Sequence, residues 1–147
     1  MTLVDVDASL AARLGELNLP GSPLVYVPGS MFKPTPPRPW LRWDLIGGPT
    51  ERSNIGEPAR TEIRPLLNID VAVQDGRGST SWAELLALAE AIRRGFAPTY
   101  ALPEPATYTG SLPWDLRVRA SGPFSQGPRR EGSYLVTTVS IPLRGRA

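Results

Sequence analysis

The sequence predicts an α+β protein: a mainly antiparallel four-stranded sheet, laid out as β-hairpin, helix, β-hairpin, with an N-terminal helix and the central helix packed on one face. Three observations carry this expectation. Residues 40–47 and 60–74 each alternate apolar and polar side chains and flank a long polar stretch. A strongly amphipathic segment with helical spacing, Trp82 to Arg94, follows. Two more alternating segments, 115–121 and 133–143, close the chain.

The first helix is expected from Asp7 to Leu17, where Asp7 can accept from free first-turn N–H groups and Leu10, Leu14 and Leu17 share a stripe. Pro20-Gly21 ends it, and a short extended piece, Leu24 to Val27, precedes a passage with five prolines between 28 and 39. Proline removes backbone donors, so neither a helix nor a central strand fits there. The run Lys33 to Pro39 has the composition of a polyproline ligand or, more simply, of a stiff connector across the surface.

In the first long strand Leu41, Trp43 and Leu45 point one way and Arg42 and Asp44 the other, with Trp40 and Ile46 at its ends. The following residues, Gly48 to Pro58, are polar and turn-rich, which predicts a projecting loop over 48–60. The second strand carries Ile63, Leu67, Ile69, Val71 and Val73 on its core face. Ser81 and Glu84 have the spacing of a capping box, and Trp82, Leu85, Leu86, Ala89, Ile92 and Phe96 form the helix stripe, with Gly95 placed for a left-handed C-terminal cap. Residues 97–113 are irregular. Residues 122–132 read as a polar turn region, and 144–147 as a loose tail. The sheet face away from the helices carries Arg42, Arg64, Arg117 and Arg119, so it should be wet or meet a partner.

Composition narrows function by exclusion. With 147 residues the chain has the size of one domain, 1–147. Apolar residues at 41% and charged at 20% are globular values. No apolar run is long enough to span a bilayer, and the acidic start (Asp5, Asp7, Glu16 against Arg13) is not a signal peptide. There is no Cys and no His, which removes thiol and imidazole chemistry and zinc sites built from those residues. Lys33 is the one lysine among sixteen basic residues. No catalytic, cofactor-binding or metal-binding residue stands out, and the expectation is a non-enzyme. Gly76-Arg77-Gly78 lacks the lysine and third glycine of a phosphate loop, and a plain strand-to-helix turn accounts for it. Ser53, Ser81 and Ser140 have no activating base, and Glu57, Glu62, Asp70 and Asp115 read as surface charges.

A net charge of +2 is weak evidence for nucleic-acid binding, because a binder concentrates its basic residues on one face. An RNA-binding α+β module would need exposed aromatic platforms. The candidates Trp40, Trp43 and Tyr134 lie on strands that look core-directed.

Taken in order, these segments resemble the tail terminator family of long-tailed phages and gene-transfer-agent particles. The residues that carry the resemblance are the amphipathic helix at 7–17, Pro39-Trp40-Leu41-Arg42-Trp43-Asp44, the loop Thr50-Glu51-Arg52-Ser53-Asn54-Ile55-Gly56, and the strand Arg64 to Val73. The capped helix from Trp82 and the closing Val139-Ser140-Ile141-Pro142 complete it, so the match spans about residues 5 to 143. The resemblance implies a virion protein, made in the host cytoplasm, at the head-proximal end of the tail. There it would form a homo-oligomeric ring, a hexamer, on the tail tube protein, stop the tube growing and present a surface to the head-side connector. DNA would pass through the ring lumen, and no membrane or cofactor is involved. A head–tail joining protein of similar fold is the alternative role. Arg52, Arg60, Arg117, Arg119, Arg129 and Arg130 are the candidate interface or lumen residues, with acidic patches near Glu51, Glu57 and Glu62 as complements.

Overall fold

The computed structural model describes residues 1–48, 50–52 and 61–146, with the backbone alone at 50–52 and 61. The elements in chain order are α1 (Leu3–Glu16), β1 (Leu24–Tyr26), β2 (Trp40–Ile46), β3 (Thr50–Arg52), β4 (Thr61–Ile63), β5 (Leu66–Gln74), α2 (Ser79–Gly95), β6 (Asp115–Val118), β7 (Phe124–Ser125), β8 (Arg129–Glu131) and β9 (Tyr134–Arg146). The α+β class and the two helices on one face hold. The four-stranded antiparallel sheet does not: among the described residues nine strands are linked in one mixed sheet, with β1 parallel to β2.

β9 organises the sheet. One edge pairs with β5 and β4 in a single unbroken register, from Gln74↔Tyr134 through Leu66↔Pro142 to Glu62↔Arg146. Pro65 interrupts the strand because it has no N–H, yet its carbonyl still accepts from Leu143 N at 2.9 Å, so the ladder carries through. The other edge of β9 is covered in sequence by β8, β7 and β6. The segment expected to be a polar turn therefore contributes two short strands. Of the residues expected to be a loose tail, 144–147, Gly145 and Arg146 are paired on both sides, by β4 and β6, and Arg144 by β6; Ala147 lies outside the described residues.

The hairpin of β2 and β5 is also longer than its composition suggests. β3 pairs with β4, so residues 50–52 belong to the ladder; 53–60, the rest of the expected projecting loop, lie outside the described residues. Between Ile46↔Leu66 and Thr50↔Ile63 the register gains one residue, as at a β-bulge. Gly48 sits there against the backbone of Arg64, and a Cβ at this position would overlap the Arg64 carbonyl.

α1 starts a turn earlier than expected. Thr2, not Asp7, is its cap: the Thr2 hydroxyl accepts from Asp5 N at 3.2 Å, and Asp5 Oδ2 accepts from Thr2 N at 2.7 Å. In α2 the expected Ser81–Glu84 capping box is not formed. The helix begins at Ser79, and Ser81 Oγ instead donates to Gln74 O at 2.8 Å and accepts from Arg77 N, tying the helix to the end of β5. Glu84 pairs with Arg77. Gly95 is not left-handed either; it is the last helical residue, and its missing side chain admits Leu17.

The core lies between the helices and the sheet. Val6, Leu10 and Leu14 of α1 and Leu85, Leu88, Ala89 and Ile92 of α2 cover Leu41, Trp43, Leu67, Ile69, Val71, Val139, Ile141 and Leu143. Each such side chain withdrawn from water contributes about 1.5–3 kcal/mol. The buried stripe of α2 is rotated from the expected one: Leu88 is inside, while Trp82 and Leu86 are 44% and 49% exposed.

Candidate functional site

The sheet face turned away from the helices divides into three regions along β9. At one end, Trp40, Ala72, Tyr134 and Val136 form a second small apolar cluster, with Leu24 and Tyr26 packed on it. The proline-rich segment crosses this end. Phe32 stacks edge-on against Trp40 at 4.8 Å, and the Tyr26 hydroxyl donates to Lys33 O at 2.8 Å. The stiff connector is thus a strap across this end of the face. Trp40 and Tyr134 are buried beneath it, so they offer no platform for stacked bases.

In the middle lies an ion-pair network centred on Asp70. Its carboxylate accepts from Thr138 Oγ1 at 2.6 Å and Arg42 Nη2 at 2.8 Å, and Arg129 Nη2 stands 3.3 Å away. Burial works against ionising Asp70, but the hydrogen bonds from Thr138, Arg42 and Arg129, with the Arg42 charge, outweigh it and hold the carboxyl below its ordinary value. Arg42 also reaches Glu131 at 3.4 Å and lies over the Phe32 ring at 4.7 Å. Burial opposes its charge too, and Asp70 and Glu131 reverse that effect. These groups neutralise one another. They hold the strap and β8 to the sheet.

At the far end, β4, β9 and β6 run side by side. Glu62 faces Arg146 across one pair and Arg146 faces Asp115 across the next; one step along, Arg144 faces Arg117. Glu62 is buried, and three guanidinium groups gather on it: Arg64 at 3.0 Å, Arg144 at 3.1 Å and Arg146 at 4.0 Å. Arg117 pairs with Asp115 at 3.0 Å. Arg119 continues the row, exposed, its backbone N–H bonded to Pro142 O.

On the opposite side of the molecule Trp82 and Leu86 border an open groove between α2 and the β7–β8 edge, with Pro128 on its far wall. Exposed apolar side chains also mark β1 and the strap that follows it, where Val25, Val27 and Met31 are 46%, 47% and 72% accessible.

The model of one protein family, described as phage tail terminator protein, matches residues 5–142. The chain belongs to the phage tail terminator family. It is therefore a structural component of a phage tail, from a family of virion proteins that work against other tail and head parts. No curated protein matches this sequence. Among solved structures, one without a descriptive name superposes with a TM-score of 0.69 over 99% of this chain and 96% of its own, at 15% identity. At that identity the likeness speaks for the fold alone. No helix among the described residues is long and apolar enough to cross a membrane.

For a tail terminator, the six arginines singled out as interface candidates do not form one site. Arg117 and Arg119 lie in the basic row at the end of the sheet. Arg129 belongs to the Asp70 network, and Arg130 pairs with Asp75 at 2.8 Å near the start of α2. The Arg52 side chain and all of Arg60 lie outside the described residues, as do the Glu51 side chain and Glu57. Glu62, taken as part of an acidic patch, is the buried anchor of an arginine cluster instead. Sequence reasoning missed Arg144 and Arg146 because they were assigned to a tail. Their alternation with Leu143 and Gly145 continues the period of β9 and was the available signal.

Proposed function

We propose that this tail terminator caps the head-proximal end of the tail tube as a closed ring of six copies, stopping tube growth and presenting a surface to the head-side connector. The supporting observation is the pair of unlike apolar surfaces on one subunit: the α2 groove with Trp82 and Leu86, and the β1–strap edge with Val25, Val27 and Met31. A closed ring needs a heterologous contact, in which one patch meets a different patch on the next copy. Exposed aromatic and large apolar side chains are the residues that anchor such contacts. The whole chain, 1–147, is taken as the ring's single folded unit.

Electron microscopy of particles made with and without this chain tests the reading. Overlong tails in its absence are the expected result. Normal tails beside unjoined heads would instead assign the joining role. In complementation, Trp82→Asp and Leu86→Asp should leave a folded subunit that no longer limits tail length.

A further inference from the structure

The arginine-rich end of the sheet has a consequence that tube capping does not require. Arg64, Arg117, Arg119, Arg144 and Arg146 share one face of three adjacent strands, against Glu62 and Asp115. Among the described side chains this sets five positive charges against two negative; Glu51 stands opposite Glu62 in the β3–β4 register, with its side chain outside them. The basic residues are thus concentrated on one face, the arrangement a modest total charge conceals.

We infer that this face is a contact surface for the phosphate backbone of duplex DNA. Three features favour that partner. First, the positive charge is built in: a buried carboxylate, Glu62, holds the guanidinium groups of Arg64, Arg144 and Arg146 side by side on one face. Second, none of the exposed large apolar side chains lies among the residues lining this groove, which are Arg64, Arg117, Arg119 and Arg144 with small or polar neighbours such as Thr99 and Ser121. Protein partners are usually anchored by apolar and aromatic side chains, whereas phosphate contacts need only donors and charge. Third, Phe32, Trp40 and Tyr134 are gathered at the opposite end, under the strap, and the exposed Phe124, opposite Ser140 on β9, is a single ring rather than a stacking platform among the described residues. Single strands would need such a platform for stacking and a duplex backbone does not. Side chains two residues apart on one strand repeat about every 6.6 Å, so the two arginine-bearing strands present a regular row of charge without base readout.

In the assembled ring this surface would face the DNA path, a placement that rests on the capping role; the contact itself does not. The test uses the purified chain and a fluorescent duplex of random sequence, with binding followed by anisotropy from 50 to 200 mM salt. Wild-type protein is expected to bind without sequence preference. Removing two of the phosphate contacts in R117A/R119A should lower the log–log salt slope by about two and weaken binding on the order of tenfold at low salt. The control R93A/R94A removes the same charge from the end of α2 and should bind as wild type does. R117K/R119K, which keeps the charge, should retain most of the affinity. No wild-type binding, equal loss in the α2 control, or capture of poly-glutamate in preference to duplex would each overturn the inference; the last would assign the face to an acidic protein. Tail length in particles carrying R117A/R119A reads the capping role separately: tails of normal length with weakened DNA binding would separate the two.

Discussion

Single residues in this protein act through close approach and through charge. At Gly48 the obstacle to a side chain is the Arg64 backbone, whereas at Gly95 it is the flexible end of Leu17. Gly48→Ala should therefore cost about 1–3 kcal/mol or more, by forcing the β2–β3 bulge away from Arg64. Gly95→Ala should cost less, because Leu17 can rotate. Chemical denaturation of the two variants checks that order. Asp70 gives a prediction with a pH sign. Its folded carboxyl lies below the ordinary value of 3.8, so its contribution is complete above that value and is lost as pH falls toward the lower folded one. Asp70→Asn takes from Arg42 and Arg129 the nearer of the two carboxylates they share, leaving Glu131, and should destabilise by about 1–3 kcal/mol at pH 7. The gap between variant and wild type should narrow on acidification below pH 4. A constant gap across that range would show that Asp70 is not the ionised centre of the network.

Elements form here when a neighbour completes them. The long alternating strands and the central helix are legible in the sequence because one face of each is buried, so the pattern records the packing. β2, β5 and most of β9 fall close to their expected bounds for this reason. The short strands are not legible. Phe124-Ser125 and Arg129 to Glu131 carry no period of their own and become strands because the edge of β9 offers backbone partners. Arg144-Gly145-Arg146 looks like a tail by composition, yet Gly145 fits between Met1 and Ile63, where a side chain would not. The expected stripe on α2 shares Leu85, Ala89, Ile92 and Phe96 with the buried one, but it includes Trp82 and Leu86, which are exposed, and omits Leu88, which the helix turns inward. Leu85→Ala should cost about 2–5 kcal/mol, and Leu86→Ala well under half as much. Equal losses in thermal or denaturant unfolding would mean that the Trp82–Leu86 side of α2 is not a free surface of the subunit.

For the molecule as a whole, the order of elements was enough to suggest the family, while the site was only partly readable. Arg117 and Arg119 were visible as candidates, but their neighbours Arg144 and Arg146 come from the far end of the chain, and pairing with β9 is what gathers them. A buried glutamate amid arginines cannot be read from composition, because burial is decided by strands distant in sequence. The resulting architecture separates its surfaces: an apolar groove on the helix side, a strapped aromatic end, and a basic end on the sheet. Such a subunit is suited to meeting several unlike neighbours at once, as a structural component of a phage tail must. The most direct measurement is polymerisation of purified tail tube protein with increasing amounts of this chain, viewed by electron microscopy. Shorter tubes are expected at substoichiometric amounts, each carrying one ring of the chain at a single end. Tubes of unchanged length, with the chain free or scattered along their sides, would contradict the capping role.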